Sequence, residues 1–179
     1  MRALLALARA IDGLSEAFGG AVKWLVLAAT LISALNASLR YGFDLSSNAW
    51  LELQWYLFAL IFLLGASYTL KHNGHVRIDV IYGRLSARAQ AWIDLFGGVL
   101  FLLPVAGLMA WFSWSVFAES WAIQETSPDA GGLLRWPIKL AMPLGFGLLF
   151  LQGLAEIIKR IGMLRGHLPY SCESAEELA

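Results

Sequence analysis

From Trp50 to Lys71 the chain reads WLELQWYLFALIFLLGASYTLK. Glu52 and Gln54 stand at the head of this run, no charge follows as far as Leu70, and Lys71 closes it. At 1.5 Å of rise per residue, about 20 mostly apolar residues cross the hydrocarbon layer of a bilayer, so the stretch reads as a membrane-spanning helix. The rest of the chain agrees with it. Of 179 residues, 59% are hydrophobic and only 15% charged, against about 25% charged in an ordinary soluble domain. Too few charges remain to coat a water-soluble surface, and the composition is that of an integral membrane protein.

Three more runs meet the same criterion. They cover Ala21 to Leu39, Trp92 to Phe117 with a kink expected at Pro104, and Pro137 to Ile158, which Lys159 and Arg160 close. The sequence therefore predicts an all-α fold with four spans, in one membrane domain over residues 1–165. The acidic tail over 166–179 is expected to be disordered. Ahead of the first span, Arg9 and Asp12 interrupt the apolar stretch too early for a signal-peptide core. Leu4, Leu7, Ala8, Ile11 and Phe18 fall on one helical face, with Arg2, Arg9, Asp12 and Glu16 mostly on the other. This predicts an interfacial amphipathic helix over 1–19. A second, short amphipathic helix is predicted after the Asn73-Gly74 turn, where Arg77, Arg84 and Arg88 share a face suited to lipid phosphates.

Basic residues set the expected orientation. Ten precede or open span one, lie between spans two and three, or follow span four, and three lie on the other side. The positive-inside rule then puts both termini in the cytoplasm. Trp50, Trp55, Trp111, Trp114, Trp121 and Trp136 gather near the opposite rim, where amphipathic rings favour the headgroup layer.

Charge and motif content exclude several functions. Thirteen basic residues balance thirteen acidic ones, which leaves no field to gather nucleic acid. Cys172 is the sole cysteine, and no metal-ligating cluster, phosphate loop or hydrolase motif occurs, so no catalytic residue, metal or cofactor is assigned. His72, His75 and His167 lie outside the spans, which counts against a haem- or quinone-binding redox anchor. An autonomous small exporter or channel is the other rival. No charge sits at the midpoint of a span, where a carrier would hold its ion. The polar and small residues that remain suggest contacts. Ala29, Ser33 and Ala37, spaced by four, form a small-residue row beside Asn36, suited to close helix packing against another subunit. Glu52, Arg135 and Trp136 mark the outer rim, where a partner would meet the chain.

Two stretches carry a family resemblance. One runs from Glu52 through Leu64-Gly65-Ala66-Ser67-Tyr68 to Gly74-His75-Val76-Arg77-Ile78-Asp79. The other is Gly131-Gly132-Leu133-Leu134-Arg135-Trp136-Pro137-Ile138-Lys139, leading to Pro143-Leu144-Gly145-Phe146. With four spans, this pattern resembles the small, DctQ-type membrane subunit of tripartite ATP-independent periplasmic (TRAP) transporters, in particular the mannitol, chloroaromatic and keto-acid branch. The resemblance implies a non-catalytic scaffold in the bacterial inner membrane. It also implies two protein partners, a large multispan elevator subunit that holds the sodium and substrate sites and a periplasmic binding protein that delivers an organic acid. In some members the two membrane subunits are fused, and this chain looks like the unfused kind. Gly74, His75 and Asp79 are carried over as family motif residues without an assigned role.

Overall fold

The computed structural model describes residues 1–45, 47–75 and 82–169. Its regular elements are helices, four of them long and apolar enough to cross a membrane. They are α1 (Arg2–Phe43), α2 (Asn48–Lys71), α3 (Ala87–Ala122) and α4 (Trp136–Leu164). Among the described residues there is no strand, only an isolated antiparallel bridge between Thr126 and Leu134.

The first difference from expectation lies at the start. Residues 1–19 are not a separate interfacial helix but the first part of α1, which runs without a break for 42 residues. No proline interrupts it, and of its glycines Gly19 serves a close contact. A Cβ on Gly19 would stand 2.1 Å from the Tyr68 ring, so only glycine lets α1 and α2 close here. The face presented inward also differs from the simple amphipathic reading. Ala8 and Ile11 are buried with Ala155 of α4, whereas Leu4 and Leu7 stay exposed. Asp44, in the left-handed region at φ 53°, ends α1 and donates its N–H to the Leu39 carbonyl.

Helix α3 starts at Ser86, whose hydroxyl accepts from Ala89 N at 3.3 Å. It is α-helical over Ala87–Gly97, widens into a π-helical turn over Gly98–Leu102, and resumes as α-helix over Leu103–Ala122. The irregularity expected at Pro104 takes this form. Proline removes one donor and crowds the preceding turn, and the wider turn moves the ladder to bonds such as Leu103 N to the Gly98 carbonyl. Gly98 faces Ile157 of α4, and Gly153 of α4 receives Leu102 and Leu103.

Helix α4 packs against all three others, and α1 and α2 also pack on each other. In its most apolar window 44% of α4 is buried, against 6% in each of the other helices. Its crossing with α2 is close: a Cβ on Gly145 would lie 2.8 Å from the Leu63 carbonyl oxygen. Without a hydrophobic force between helices in lipid, such small-residue contacts are a main source of association. Of the expected second amphipathic helix, residues 76–81 lie outside the described residues, as does most of the expected tail, 170–179. The described part of that expected helix does not run on as one helix, since Gly83 and Arg84 form a turn and Arg88 belongs to the first turn of α3.

Candidate functional site

Polar side chains gather at the two ends of the bundle. At one end, the loop from Ile123 to Arg135 folds back over the start of α2. Glu52 is the anchor. Only 4% exposed, its carboxylate accepts the Leu133 N–H at 2.6 Å and the hydroxyl of Ser127. One turn later, Tyr56 donates its hydroxyl to the Leu134 carbonyl at 3.0 Å, and Asn48 Nδ2 reaches the Ala130 carbonyl at 3.2 Å. Within the loop, Ser127 N donates to the Leu133 carbonyl at 2.9 Å and Arg135 N to the Glu125 carbonyl at 2.8 Å. Ser127-Pro128-Asp129 and Gly131-Gly132 form a tight turn. Gly132 N bonds the Asp129 carbonyl at 3.0 Å, Gly131 has φ 73°, and a Cβ on Gly132 would meet Ser127 at 2.4 Å.

Glu125 pairs with Lys139 at the start of α4. The ammonium it bonds, with Arg135 near by, holds its carboxyl below the usual carboxylate range. Trp136 opens α4 with its ring edge-on to Trp121, centroids 4.3 Å apart. Its indole N–H is buried without an acceptor among the described residues. Of the three residues expected at the rim, Glu52 is thus turned into the loop, while Arg135 and Trp136 form the junction between loop and α4.

At the end where α1 begins and α4 finishes, Gln152 is fully buried. It accepts from the Ser15 hydroxyl at 2.7 Å and donates to Asp12 Oδ1 at 2.8 Å and Glu156 Oε1 at 3.0 Å. Lys159 lies 3.1 Å from Asp12 and 2.5 Å from Glu156. Arg160 pairs with Asp94 of α3 at 3.1 Å, and Tyr82 donates to the same carboxylate at 2.8 Å. Lys71 and His72, at the end of α2, both meet Glu16 of α1. Glu156 pairs with Lys159 one turn further along α4, whereas Arg160 reaches across to α3. Sequence reasoning missed the link from Asp12 and Ser15 to Gln152. The available signal was the polar stripe Gln152, Glu156 and Lys159 on one face of α4, which needs a polar counterpart on a neighbour.

The small-residue row divides. Ala29 and Asn36 are buried in the chain's own bundle, and Ser33 donates to Gln54 Oε1 of α2 at 3.0 Å, while Ala37 is exposed. Gln54 Nε2 is buried with no acceptor among the described residues. Arg84 and Arg88 are exposed, as are Gly74 and His75, whereas Arg77 and Asp79 lie outside the described residues. No group of three or more metal-ligating side chains forms among the described residues.

A bundle of four candidate spans with a folded loop at one end and ion-paired helix termini at the other describes a small membrane component. Residues 29–162 match the family described as the DctQ component of tripartite ATP-independent periplasmic transporters, and the chain belongs to that family. It is therefore a transporter component and not an enzyme. Among curated proteins it is similar to the C4-dicarboxylate TRAP transporter small permease protein DctQ of Pseudomonas aeruginosa, with 33% identity over 107 residues, 59% of this chain and 50% of that one. It is also similar to the protein of the same description from Rhodobacter capsulatus, with 36% identity over 117 residues, 62% of this chain and 49% of that one. The chain thus spans about half the length of the curated relatives it matches. No solved structure matches it.

Proposed function

We propose that the chain is the non-catalytic scaffold subunit of a sodium-coupled TRAP importer of organic acids in the bacterial inner membrane. Its partners are a large multispan subunit, which carries the sodium and substrate sites, and a periplasmic binding protein. The observation that carries this reading is the unequal burial of the helices. Helix α4 is the most buried, while α1, α2 and α3 leave long apolar flanks open, with Phe62, Phe101 and Trp111 each at least 70% exposed. Such flanks suit lipid and a larger membrane partner. The described polar groups of the bundle mostly satisfy one another, which supports an architectural role. The names of the curated relatives, which specify a C4-dicarboxylate transporter, support a small organic acid as cargo.

The ten-to-three bias of basic residues supports cytoplasmic termini and a periplasmic position for the loop that Glu52 anchors. In this orientation Glu52 shapes the rim that Arg135 and Trp136 offer to a partner, and Arg84 and Arg88 stand among lipid phosphates with Arg77. The row of Ala29, Ser33, Asn36 and Ala37 supports the subunit contact by holding α1 against α2, with Ala37 facing outward.

The test is reconstitution. Sodium-driven uptake into proteoliposomes is expected only when this chain, the large subunit and the binding protein are all present, and tagged chain should retain the large subunit in mild detergent. Uptake by this chain alone, or undiminished uptake without it, overturns the proposal.

A further inference from the structure

Between α1 and α2, away from α4, runs a trough of about 630 Å³. Its apolar walls are Val22 on one side and Ile61, Phe62 and Ala66 on the other, and Gly20, with nothing within 4 Å of where a Cβ would stand, keeps it open. At its polar end stand Glu16, Thr69 and His75. The charges there are not equivalent. Glu16 is engaged by Lys71 and His72. Lys23 is exposed, lines the trough, and has only the Trp24 ring, 5.9 Å away, as a described contact. An apolar slot with an unneutralised ammonium at its wall fits an amphiphile with one hydrocarbon arm and an anionic head.

We propose that this trough holds one phospholipid of the surrounding bilayer, an acyl chain lying along Val22, Ile61 and Phe62 and the phosphate paired with Lys23. Charge and apolarity choose this occupant: the trough joins a hydrocarbon wall to one ammonium, which matches a single acyl chain with an anionic head. A single lipid chain with its glycerol lies within the range of ligand sites, about 300–1,000 Å³. A lipid here would lie beside the Gly19–Tyr68 contact, which already closes α1 on α2 at one point of the trough. The inference does not depend on the proposed transport role.

The experiment uses the full chain in mild detergent with added phosphatidylglycerol, and native mass spectrometry counts the lipid retained. Wild-type chain is expected to keep one lipid, and Lys23→Arg to keep it as well. Lys23→Glu should lower retention about fivefold, the scale of one basic residue at an anionic lipid surface. Because Lys23 is exposed, that variant leaves the packing of the bundle intact. Ala66→Phe, which fills the trough from the α2 wall, should remove the lipid with Lys23 still in place. Equal retention in wild type, Lys23→Glu and Ala66→Phe would overturn the site. So would a photo-crosslinker at Ala66 that captures a second copy of the chain or another polypeptide in place of lipid.

Discussion

Helix α4 and the three helices around it are all apolar enough to span a bilayer, yet they are used in opposite ways. The centre of α4 carries small or proline residues where it touches its neighbours, Ala141, Pro143, Gly145, Gly153 and Ala155, all buried. The outward flanks of α1, α2 and α3 carry large residues such as Trp24, Phe62 and Trp111. In lipid, bulk does not by itself draw a helix inward, because acyl chains solvate leucine and phenylalanine as well as another helix does. Small residues let backbones approach, and approach brings dispersion contacts and short hydrogen bonds. The inside of this bundle is therefore marked by smallness, the reverse of a water-soluble core.

The sharpest way to break that contrast is at the α2–α4 crossing. Gly145→Val places side-chain atoms against the Leu63 backbone, where neither can yield cheaply, and should cost about 3 kcal/mol of bundle stability. Thermal unfolding in detergent checks this, and a variant as stable as wild type would mean that the crossing is looser than described. Gln152→Ala follows. It removes two hydrogen bonds to α1 and one within α4 and should cost about 1.5 kcal/mol, taking about 0.6 for each interhelical bond in a membrane. The expected signature is increased separation of α1 and α4, read by paired spin labels on their exposed faces.

Glu52→Gln is a milder substitution. The amide keeps the shape but retains one acceptor oxygen where the carboxylate offered two, so either Ser127 or the Leu133 N–H loses its partner. About 1 kcal/mol of loop anchoring should be lost, seen as faster protease cleavage near Asp129–Ala130 while the helices hold. Trp111→Ala, on the open flank of α3, should change the stability of the isolated chain by less than about 0.5 kcal/mol. If the proposed assembly is right, its effect appears instead as weaker retention of the large subunit.

The smallest effect is expected with pH. The carboxyl of Glu125 is depressed by its bond to Lys139, so the stabilisation it lends the loop is fully present above the ordinary carboxylate value. That stabilisation is lost as the pH falls through the lowered folded-state value. A spin label at Asp129 should therefore gain mobility only below the ordinary carboxylate range, and gain at neutral pH would sever the link to Glu125. Lys139→Gln should move the onset of this mobility to higher pH.

Several of these features were legible in the chain before folding. The turn at Ser127 to Gly132 follows from local chemistry, since glycine there is required by backbone conformation and by the close approach to Ser127. The disturbance near Pro104 was equally visible, although its form as a π-helical turn was not. The Glu156–Lys159 pair could be read from helical spacing. The link from Ser15 to Gln152 spans 137 positions, and no local pattern announces which two helices will lie side by side. The role of Glu52 was hidden for the same reason, because its partners, Ser127 and Leu133, lie 75 and 81 residues away.

Hydropathy and length, summed over neighbouring residues, were enough to establish four spans, and two short stretches were enough to indicate the family. These are properties that each segment carries alone, because a helix satisfies its own backbone in lipid before it meets any other. Which flank of each helix turns inward, the unbroken course of α1 through residues expected to lie apart, and the mutual pairing of the buried polar groups were decided only in three dimensions. They depend on crossing angles and on where small residues let one backbone reach another, and those quantities arise only when the helices pack.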